Sequence, residues 1–282
     1  MKVNTFIVGA PKAGTTSLHY YLNQHTDVSM SSVKEPNFFS SKEVESLFYN
    51  SKCIDDSNDY HKLFSVKKRQ VRGEASVSYL FYKNVPKRIY NYNSEAKIII
   101  MLRQPIERAF SHYLMDCRLG FCSEKLEDII ANPQSYPQYF QQYLELGKYY
   151  SQLKRYEDIF GKEQLLVIFY EDFNNDTEKV MKTVFSFLQI EQQEIDFSIK
   201  NSFLLPSNTL ISKLYKFNIV RKGVKTIIPE RLLSLIRSKY FSAKSKPILS
   251  RATEQQLKVF YKSDVFQLEE LLNTDLARWN IK

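Results

Sequence analysis

The segment GAPKAGTT, from Gly9 to Thr16, contains the residue types of an anion-binding loop. It follows an apolar, β-branched run, and its two glycines, Gly9 and Gly14, allow the backbone to turn tightly and approach an anion. Lys12 adds a positive charge inside the loop, and the hydroxyls of Thr15 and Thr16 add hydrogen-bond donors. A helix that begins near Gly14 would direct its free N–H groups at the same anion. The spacing therefore predicts a phosphate site between a buried strand and a helix.

The position of the lysine bears on which phosphate compound is bound. A P-loop kinase or triphosphatase needs lysine directly after the second glycine, then Ser or Thr for magnesium, and a second, acidic metal ligand. Thr15 occupies the lysine position, and the most apolar strand, KIIIML, runs into Arg103 rather than into an acid. No His/Cys cluster has metal-ligand spacing, so no metal site is predicted. The sequence disfavours metal-dependent triphosphate chemistry, and a nucleotide or sugar kinase of the P-loop type remains an alternative.

Strands and helices alternate along the 282 residues, a length that suits one large domain. Apolar runs predict buried strands at 3–9, 70–75, 97–102 and 164–173. Recurring strand–loop–helix units predict a single α/β domain over 1–282, with a P-loop-like parallel sheet flanked by helices. Ligands bind at the carboxyl ends of parallel strands, so the loops after Gly9, Glu74 and Arg103 should converge. The polar, Tyr-rich segments 40–66 and 115–150 are expected to be irregular insertions that shape an acceptor groove.

The net charge of +9 is unevenly distributed. The segment 201–251 holds eleven Lys or Arg and a single acid, Glu230, whereas the rest of the chain is nearly balanced. Such a segment faces either solvent or an anionic partner, namely nucleic acid, a lipid surface, an acidic glycan or a charged cofactor. No helix-turn-helix, zinc-finger or RNP-like signature accompanies the charge, so nucleic acid is disfavoured. Peripheral contact with an anionic membrane or polysaccharide through 201–251 stays open.

The cysteines and the start of the chain bear on the compartment. Three cysteines form no paired framework, which favours free thiols in a reducing environment. No secretory leader precedes the first strand, and no apolar run approaches the ~20 residues of a membrane span. The sequence therefore predicts a cytoplasmic protein and leaves its oligomeric state open.

Several further motifs accompany the first loop. They are GAPKAGTTSLHYYLNQH, KEPNFF, GEASVSYL (73–80), IIIMLRQPIERAFSHYLM (98–115) and FGKEQLLVIFYEDF (160–173), with YKSDVFQLEELLNTDLARW (261–279) as support. Together they resemble one known family, the sulfotransferase superfamily, and within it the branch of heparan-sulfate and bacterial sulfotransferases. The resemblance touches most of the chain. It implies 3′-phosphoadenosine 5′-phosphosulfate as sulfuryl donor, no metal, and a hydroxyl of a carbohydrate or glycolipid as acceptor. An amine acceptor stays open, since the same base geometry would serve it. A non-catalytic protein that binds anionic glycans through its basic segment is the second alternative.

The resemblance also implies roles for individual residues. Lys12 would stabilise the leaving phosphate, because negative charge grows on the bridging oxygen as the sulfuryl bond breaks. Glu35 in KEPNFF would be the general base that takes the acceptor proton. Arg103 and Ser111 would clamp the 3′-phosphate, with an ion pair to Glu107 as the alternative role of Arg103. The 5′-phosphate would be held by Lys12, Ala13, Gly14, Thr15, Thr16 and Ser17.

The remaining candidates concern the acceptor and the closing of the nucleotide site. Lys34, Asn37 and Glu74 are predicted to bind the acceptor. Lys244 and Lys246 are candidates for a basic loop that closes over the nucleotide. The sequence departs from glycosaminoglycan enzymes at Asn37, Ser40 and Ala75, where these enzymes often carry His, an acid and Lys respectively. A heparan-like acceptor is therefore disfavoured, while the donor chemistry is retained. A packing role is expected for His112.

Overall fold

The computed structural model of the protein describes residues 2–49, 53–65, 70–197, 205–206, 241–242 and 247–281. Its main sheet is built from five strands: β1 Thr5–Gly9, β2 Val28–Met30, β3 Val71–Ala75, β4 Lys97–Leu102 and β5 Leu165–Phe169. All of them are parallel, in the order β2–β3–β1–β4–β5. A separate antiparallel pair joins β6 Leu205–Pro206 to β7 Phe241–Ser242. The parallel α/β sheet predicted from the alternating pattern is confirmed.

Helices connect these strands and pack against them. Within the described residues they are α1 Thr15–Leu22, α2 Ser41–Glu45, α3 Ser57–Lys62, α4 Val85–Tyr92, α5 Pro105–Leu119, α6 Leu126–Ala131, α7 Pro137–Tyr143, α8 Tyr149–Phe160, α9 Tyr170–Asn175, α10 Thr177–Leu188 and α11 Arg251–Leu272. Helix α1 packs against β1, β2 and β3, while α8 contacts α4, α11 and β5. No helix in the described part of the chain is long and apolar enough to cross a bilayer.

The apolar side chains of β1 and β4 explain why these strands lie at the centre of the sheet. Every residue of β1 is buried, as is every residue of β4 after Lys97. Strands buried on both faces read as continuous β-branched and apolar runs, which is the pattern of FIV and IIIML. Because β1 pairs with both β3 and β4, three successive strand ends meet at one edge of the sheet.

Local capping fixes the start and end of α5, the helix that carries much of the site. The side-chain oxygen of Gln104 accepts a hydrogen bond from the Glu107 N–H at 2.6 Å, and Pro105 occupies the first turn. Proline is favoured there because its missing N–H would have no helical partner. The helix ends at Gly120, whose φ of 76° lies in the left-handed region.

The structure differs from the sequence-based prediction in three places. The predicted strand 164–173 ends at Phe169, because Tyr170–Asn175 forms α9 and buries Phe173. The three-residue edge strand β2 was not predicted. The segments 40–66 and 115–150 contain helices, not wholly irregular chain. Their tyrosines explain the difference, since Tyr60 and Tyr143 are fully buried and pack these helices onto the core.

Candidate functional site

Hydrogen bonds tie together the loops that follow β1, β3 and β4. The Ala10 N–H donates to the Met101 carbonyl at 2.6 Å, and the Glu35 N–H donates to the Ala75 carbonyl at 2.9 Å. The Arg103 guanidinium donates to the Lys12 carbonyl at 3.2 Å. The loop that carries Glu35, which follows β2, thus joins the predicted convergence at the carboxyl edge of the sheet.

The loop after β1 requires glycine for steric as well as conformational reasons. Gly14 has a φ of 91° at the start of α1, and a Cβ there would lie 3.2 Å from a ring carbon of Tyr170. A Cβ on Gly9 would lie 2.7 Å from the Leu80 Cβ. The first turn of α1 contains no acidic residue, so nothing within that turn opposes an anion at its N-terminus.

The remaining predicted phosphate contacts lie on this loop and the first turn of α1. Ala13 and Thr15 are buried, Ser17 is half-buried and Thr16 is exposed. Backbone N–H groups at a helix N-terminus, flanked by hydroxyls, form a suitable cradle for phosphate. The arrangement therefore fits the 5′-phosphate of the expected donor.

Lys12 is half-buried, with its ammonium group beside Met115 of α5. Its Nζ donates to the Met115 sulfur at 3.2 Å, a weak acceptor that leaves hydrogen-bonding capacity for a ligand. Burial lowers the pKa of Lys12 to about 8, assisted by the positive charges of Arg118 and Arg103 and opposed by Asp116 and Glu35. The group therefore remains mostly protonated near neutral pH, in a place where water screens its charge poorly.

Arg103 is held at the end of β4 by several contacts. Its guanidinium lies 4.5 Å from the ring centre of Tyr170 and forms an ion pair with Glu107 at 2.8 Å. This is the ion pair that sequence analysis named as the alternative role. The Glu107 side chain is 57% exposed, and surface pairs contribute only ~0–1 kcal/mol, so the pair is a weak competitor for a phosphate dianion. Ser111 is half-buried two turns further along α5.

Glu35 lies on a tight turn after β2. The backbone of Glu35 is left-handed, with φ of 61°, and its carboxylate pairs with Lys34. The side chain of Glu35 is 41% exposed and that of Lys34 is 21% exposed. The Asn37 amide donates to the Glu35 carbonyl oxygen at 3.0 Å, and the Asn37 N–H donates to the Ser76 hydroxyl at 3.1 Å. Asn37 is itself buried, so its position supports the turn that presents Glu35.

Glu74 lies in the core and not at the surface of the site. Its side chain is fully buried beside Tyr60 and Tyr79. Burial raises the pKa of Glu74 to about 8, and the two tyrosine hydroxyls offset only part of that shift. The position of Glu74 on β3 was predicted, but a carboxyl with no exposed surface is not placed to contact an acceptor.

A buried polar cluster on α5 was missed by the sequence reasoning. Asp116 is fully buried, and its Oδ2 accepts hydrogen bonds from Tyr49 at 2.7 Å and Tyr143 at 2.9 Å. His112 Nε2 lies 3.0 Å from the Tyr49 hydroxyl, and this histidine is buried as expected. Burial raises the pKa of Asp116 to about 6, while the hydrogen bonds from Tyr49 and Tyr143 and, less strongly, the positive charge of Lys12 oppose the shift. The sequence did contain a signal for this cluster, because Asp116 follows His112 by one helical turn.

Some predicted features lie outside the described residues. Lys244 and Lys246 do, as does most of the basic segment 201–251, so its contact with an anionic partner stays a prediction. Within the described ranges, no group of three or more His, Cys, Asp or Glu side chains is arranged to hold a metal ion.

Comparison with known proteins identifies the family. The family model described as the sulfotransferase domain matches residues 2–206. Mouse carbohydrate sulfotransferase 15 is 26% identical over 250 residues, which covers 67% of this chain and 45% of that protein. Bifunctional heparan sulfate N-deacetylase/N-sulfotransferase 1 of Xenopus laevis is 29% identical over 197 residues, which covers 65% of this chain and 22% of that protein. The chain thus spans less than half the length of these curated relatives.

The fold leads to the same family. A crystal structure of a sulfotransferase from Alicyclobacillus acidocaldarius superposes with a TM-score of 0.74 at 30% identity, covering 99% of both chains. The sulfotransferase domain from the curacin biosynthetic pathway has a TM-score of 0.51 at 13% identity and shares the fold. From the match over residues 2–206 and the fold shared along its length, the chain belongs to the sulfotransferase family.

Proposed function

We propose that this protein transfers the sulfuryl group of 3′-phosphoadenosine 5′-phosphosulfate to a hydroxyl of a carbohydrate, either free, in a polysaccharide or on a glycolipid. The observation that carries the proposal is the position of Lys12, half-buried in the loop after β1, where its ammonium group has the Met115 thioether as its one hydrogen-bond partner among the described residues. The same edge of the sheet holds Arg103 and Glu35, the candidate phosphate clamp and base. Family membership supports the donor, and the names of the curated relatives support a carbohydrate acceptor.

The described residues fit a donor with phosphate groups at two separate points. The glycine cradle and the N-terminus of α1 suit the 5′-phosphate, since a side chain on Gly14 would press against Tyr170. Arg103 pairs with the exposed Glu107 side chain, a weak surface contact that its guanidinium can exchange for a 3′-phosphate. When bound, the donor supplies a sulfuryl group attached to a phosphate that leaves with growing negative charge.

Lys12 is suited to holding that charge. Sulfuryl transfer resembles phosphoryl transfer, in which catalysis is mainly positioning and charge stabilisation. A preorganised ammonium in a poorly hydrated site stabilises developing negative charge better than water does, because it need not reorient during the reaction. The hydrogen bond from the Arg103 guanidinium to the Lys12 carbonyl keeps the loop in place.

Glu35 is suited to taking the proton of the acceptor hydroxyl. Its carboxylate is exposed enough to meet an acceptor, and its partner Lys34 holds it only by a partly exposed ion pair. Such pairs contribute little net free energy, so an incoming hydroxyl can displace Lys34. Lys34 would then remain beside the acceptor, while Asn37 keeps the turn in position.

A thermal-shift experiment tests the donor. Adenosine 3′,5′-bisphosphate, the product of the donor, should raise the melting temperature of the full chain, whereas ATP with magnesium should leave it unchanged. A ligand that binds only the folded state stabilises it by ~2.7 kcal/mol at a hundred times its dissociation constant. Stabilisation by magnesium-ATP with none by the bisphosphate would overturn the proposal in favour of a kinase.

A further inference from the structure

The end of α5 brings two of the chain's three cysteines, all of them free thiols, side by side. The helix ends at Gly120, and the turn after it folds back onto α5. The N–H groups of Phe121 and Cys122 both donate to the Asp116 carbonyl, at 2.9 Å and 3.4 Å. Cys117 directly follows Asp116 on the helix. The turn therefore places Cys122 next to Cys117.

The side-chain contacts bring the two sulfur atoms together. Tyr113 lies four residues before Cys117 and hence on the same face of α5. The Tyr113 hydroxyl donates to the Glu124 carbonyl at 3.0 Å, and the Cys122 thiol donates to the same oxygen at 3.7 Å. The Cys117 and Cys122 side chains are also hydrogen-bonded to each other. Two sulfurs in contact on neighbouring segments are the starting arrangement for a disulfide.

The hydrogen bond between the two thiols makes the pair easier to ionise. It lowers the pKa of Cys122 to about 7, against the effect of burial, and raises the pKa of Cys117. The pair therefore loses one proton near neutral pH and keeps the other. Because the thiolate and not the thiol is the nucleophile, the pair is prepared to react with an oxidant.

Cys53 provides an internal comparison. It is half-buried, as Cys117 is. Burial, assisted by the negative charges of Glu45 and Asp55, raises the pKa of Cys53 to about 11. A thiol with this pKa contains almost no thiolate near neutral pH. Cys53 should therefore react with an oxidant far more slowly than the pair does.

The pair lies beside the polar cluster of α5. The Tyr143 hydroxyl donates to Asp116 Oδ2 at 2.9 Å, and the Tyr143 side chain also interacts with the Cys122 thiol. The negative charge of Asp116 in turn raises the pKa of Lys12. A covalent change at the pair would thus occur in contact with groups that act on Lys12.

We propose that Cys117 and Cys122 are a modification site, which hydrogen peroxide oxidises to a reversible intramolecular disulfide. The site goes beyond the proposed function and does not depend on it. Peroxide is a small oxidant that can reach the pair from the side of the half-buried Cys117. A dithiol reductant returns the disulfide to the two thiols.

The oxidation has two steps. The shared proton passes from Cys117 to Cys122, and the Cys117 thiolate attacks a peroxide oxygen, so that the O–O bond breaks and hydroxide leaves. The Cys122 sulfur then attacks the sulfur of the resulting Cys117 sulfenic acid. The S–S bond forms, the S–O bond breaks, and the departing hydroxide takes the Cys122 proton as water. The two sulfurs together lose two electrons, and the peroxide becomes hydroxide and water.

Peptide mapping of the full chain tests this site. The reduced chain is treated with hydrogen peroxide near pH 7, the remaining thiols are alkylated under denaturing conditions, and trypsin is added. Trypsin cleaves after Arg108, Arg118 and Lys125, which places Cys117 in 109–118 and Cys122 in 119–125. We expect these two peptides to be joined, with Cys53 still alkylated, and dithiothreitol to separate them.

Variants and the unfolded chain give the test its specificity. Cys117→Ser and Cys122→Ala should each abolish the linkage, whereas Cys53→Ser is the matched control and should form it at the wild-type rate. The linkage should form about fivefold faster in the folded chain than in the chain unfolded by urea, because only the fold lowers a thiol pKa.

Three results would overturn the site: no joined peptides from the wild-type chain, oxidation of Cys53 as fast as that of the pair, or linkage in the unfolded chain as fast as in the folded one. All three are measured on chains that keep Cys117 and Cys122, so the test does not depend on how the variants fold. The result is also independent of the donor experiment, because neither donor nor acceptor is present.

Discussion

At the scale of single residues, the charge state of Lys12 sets an expected upper pH limit on activity. Its pKa of about 8 means that the ammonium loses its proton as pH rises through that value. If Lys12 stabilises the leaving phosphate, the deprotonated form cannot, so kcat should fall on the alkaline side from about pH 8. The rate of the wild-type protein at saturating donor and acceptor, measured against pH, checks this.

Substitution of Asp116 tests whether the pKa of Lys12 sets this alkaline limit on activity. Its negative charge raises the pKa of Lys12 against the effect of burial. Removing the charge in Asp116→Asn should therefore lower the pKa of Lys12 and move the alkaline fall of kcat to lower pH. An alkaline fall at the same pH in wild type and variant would show that Asp116 does not tune Lys12.

Glu35 is expected to govern the chemical step and not donor binding. Glu35→Gln removes the proton acceptor while keeping its size, so kcat should fall about 10²–10⁴-fold. Stabilisation by the bisphosphate should be unchanged, because the phosphate contacts are separate. Glu145→Gln is the matched control, since Glu145 forms a comparably exposed pair with Lys148. Near wild-type kcat in Glu35→Gln would exclude Glu35 as the base.

At the scale of elements, the start of α1 depends on a glycine at position 14. Gly14→Ala places a Cβ 3.2 Å from Tyr170 on a backbone with φ of 91°. Gly161 is a matched control, because its φ is 75° but a Cβ there meets nothing within 4 Å. Gly14→Ala should lose ~1–2 kcal/mol from left-handed strain. Gly161 has a ψ of 164°, in a region nearly restricted to glycine, so Gly161→Ala should lose ~1–3 kcal/mol from backbone strain.

The two glycine variants should differ in ligand response. Only Gly14→Ala should also weaken the thermal stabilisation by adenosine 3′,5′-bisphosphate, because only that Cβ displaces the groups around the phosphate cradle. Equal stabilisation of both variants by the bisphosphate would contradict the placement of the 5′-phosphate.

The elements also show which features the sequence could predict. β1 and β4 were predictable because strands buried on both faces must be continuously apolar, and the Gly9–Gly14 spacing located the loop between β1 and α1. β2 is too short for a periodic signal. Sequence analysis did not identify Asp116, because its hydrogen-bond partners Tyr49 and Tyr143 are distant from it in sequence. The burial of Glu74 likewise depends on how β3 packs, which a single sequence does not encode locally.

At the scale of the whole molecule, the buried carboxyl of Glu74 should make folding stability pH-dependent. Its pKa is raised to about 8 in the folded state, from a usual value of 4.5. The folded protein therefore retains this proton where the unfolded chain has lost it, and the stability it contributes falls as pH rises from about 4.5 to 8.

The glutamine in Glu74→Gln cannot ionise, so the variant should not show this loss of folding stability as pH rises. The free energy of unfolding of the variant, relative to that of wild type, should therefore be higher at pH 8 than at pH 5, by an amount on the order of a few kcal/mol. Urea unfolding of both proteins at the two pH values measures the difference, and Glu163→Gln, at an exposed position, should show none. The same difference in unfolding free energy between Glu74→Gln and wild type at both pH values would refute the raised pKa of Glu74.

The molecule as a whole combines the described α/β sheet with a basic segment that lies mostly outside the described residues. Eleven basic residues and one acid in 201–251 give this segment a charge suited to attracting a polyanionic glycan or anionic lipid headgroups. That role, the cytoplasmic location and the part of Lys244 and Lys246 in closing the nucleotide site stay predictions.

Transfer of radiolabelled sulfate from 3′-phosphoadenosine 5′-phosphosulfate to a panel of neutral oligosaccharides tests the central claim most directly. Wild type should label at least one sugar hydroxyl without added metal, and Lys12→Ala should lower kcat about 10²–10³-fold. Lys154→Ala, which changes a surface lysine, should keep the wild-type rate. Absence of labelled sugar with wild type, or an undiminished rate in Lys12→Ala, would contradict the account.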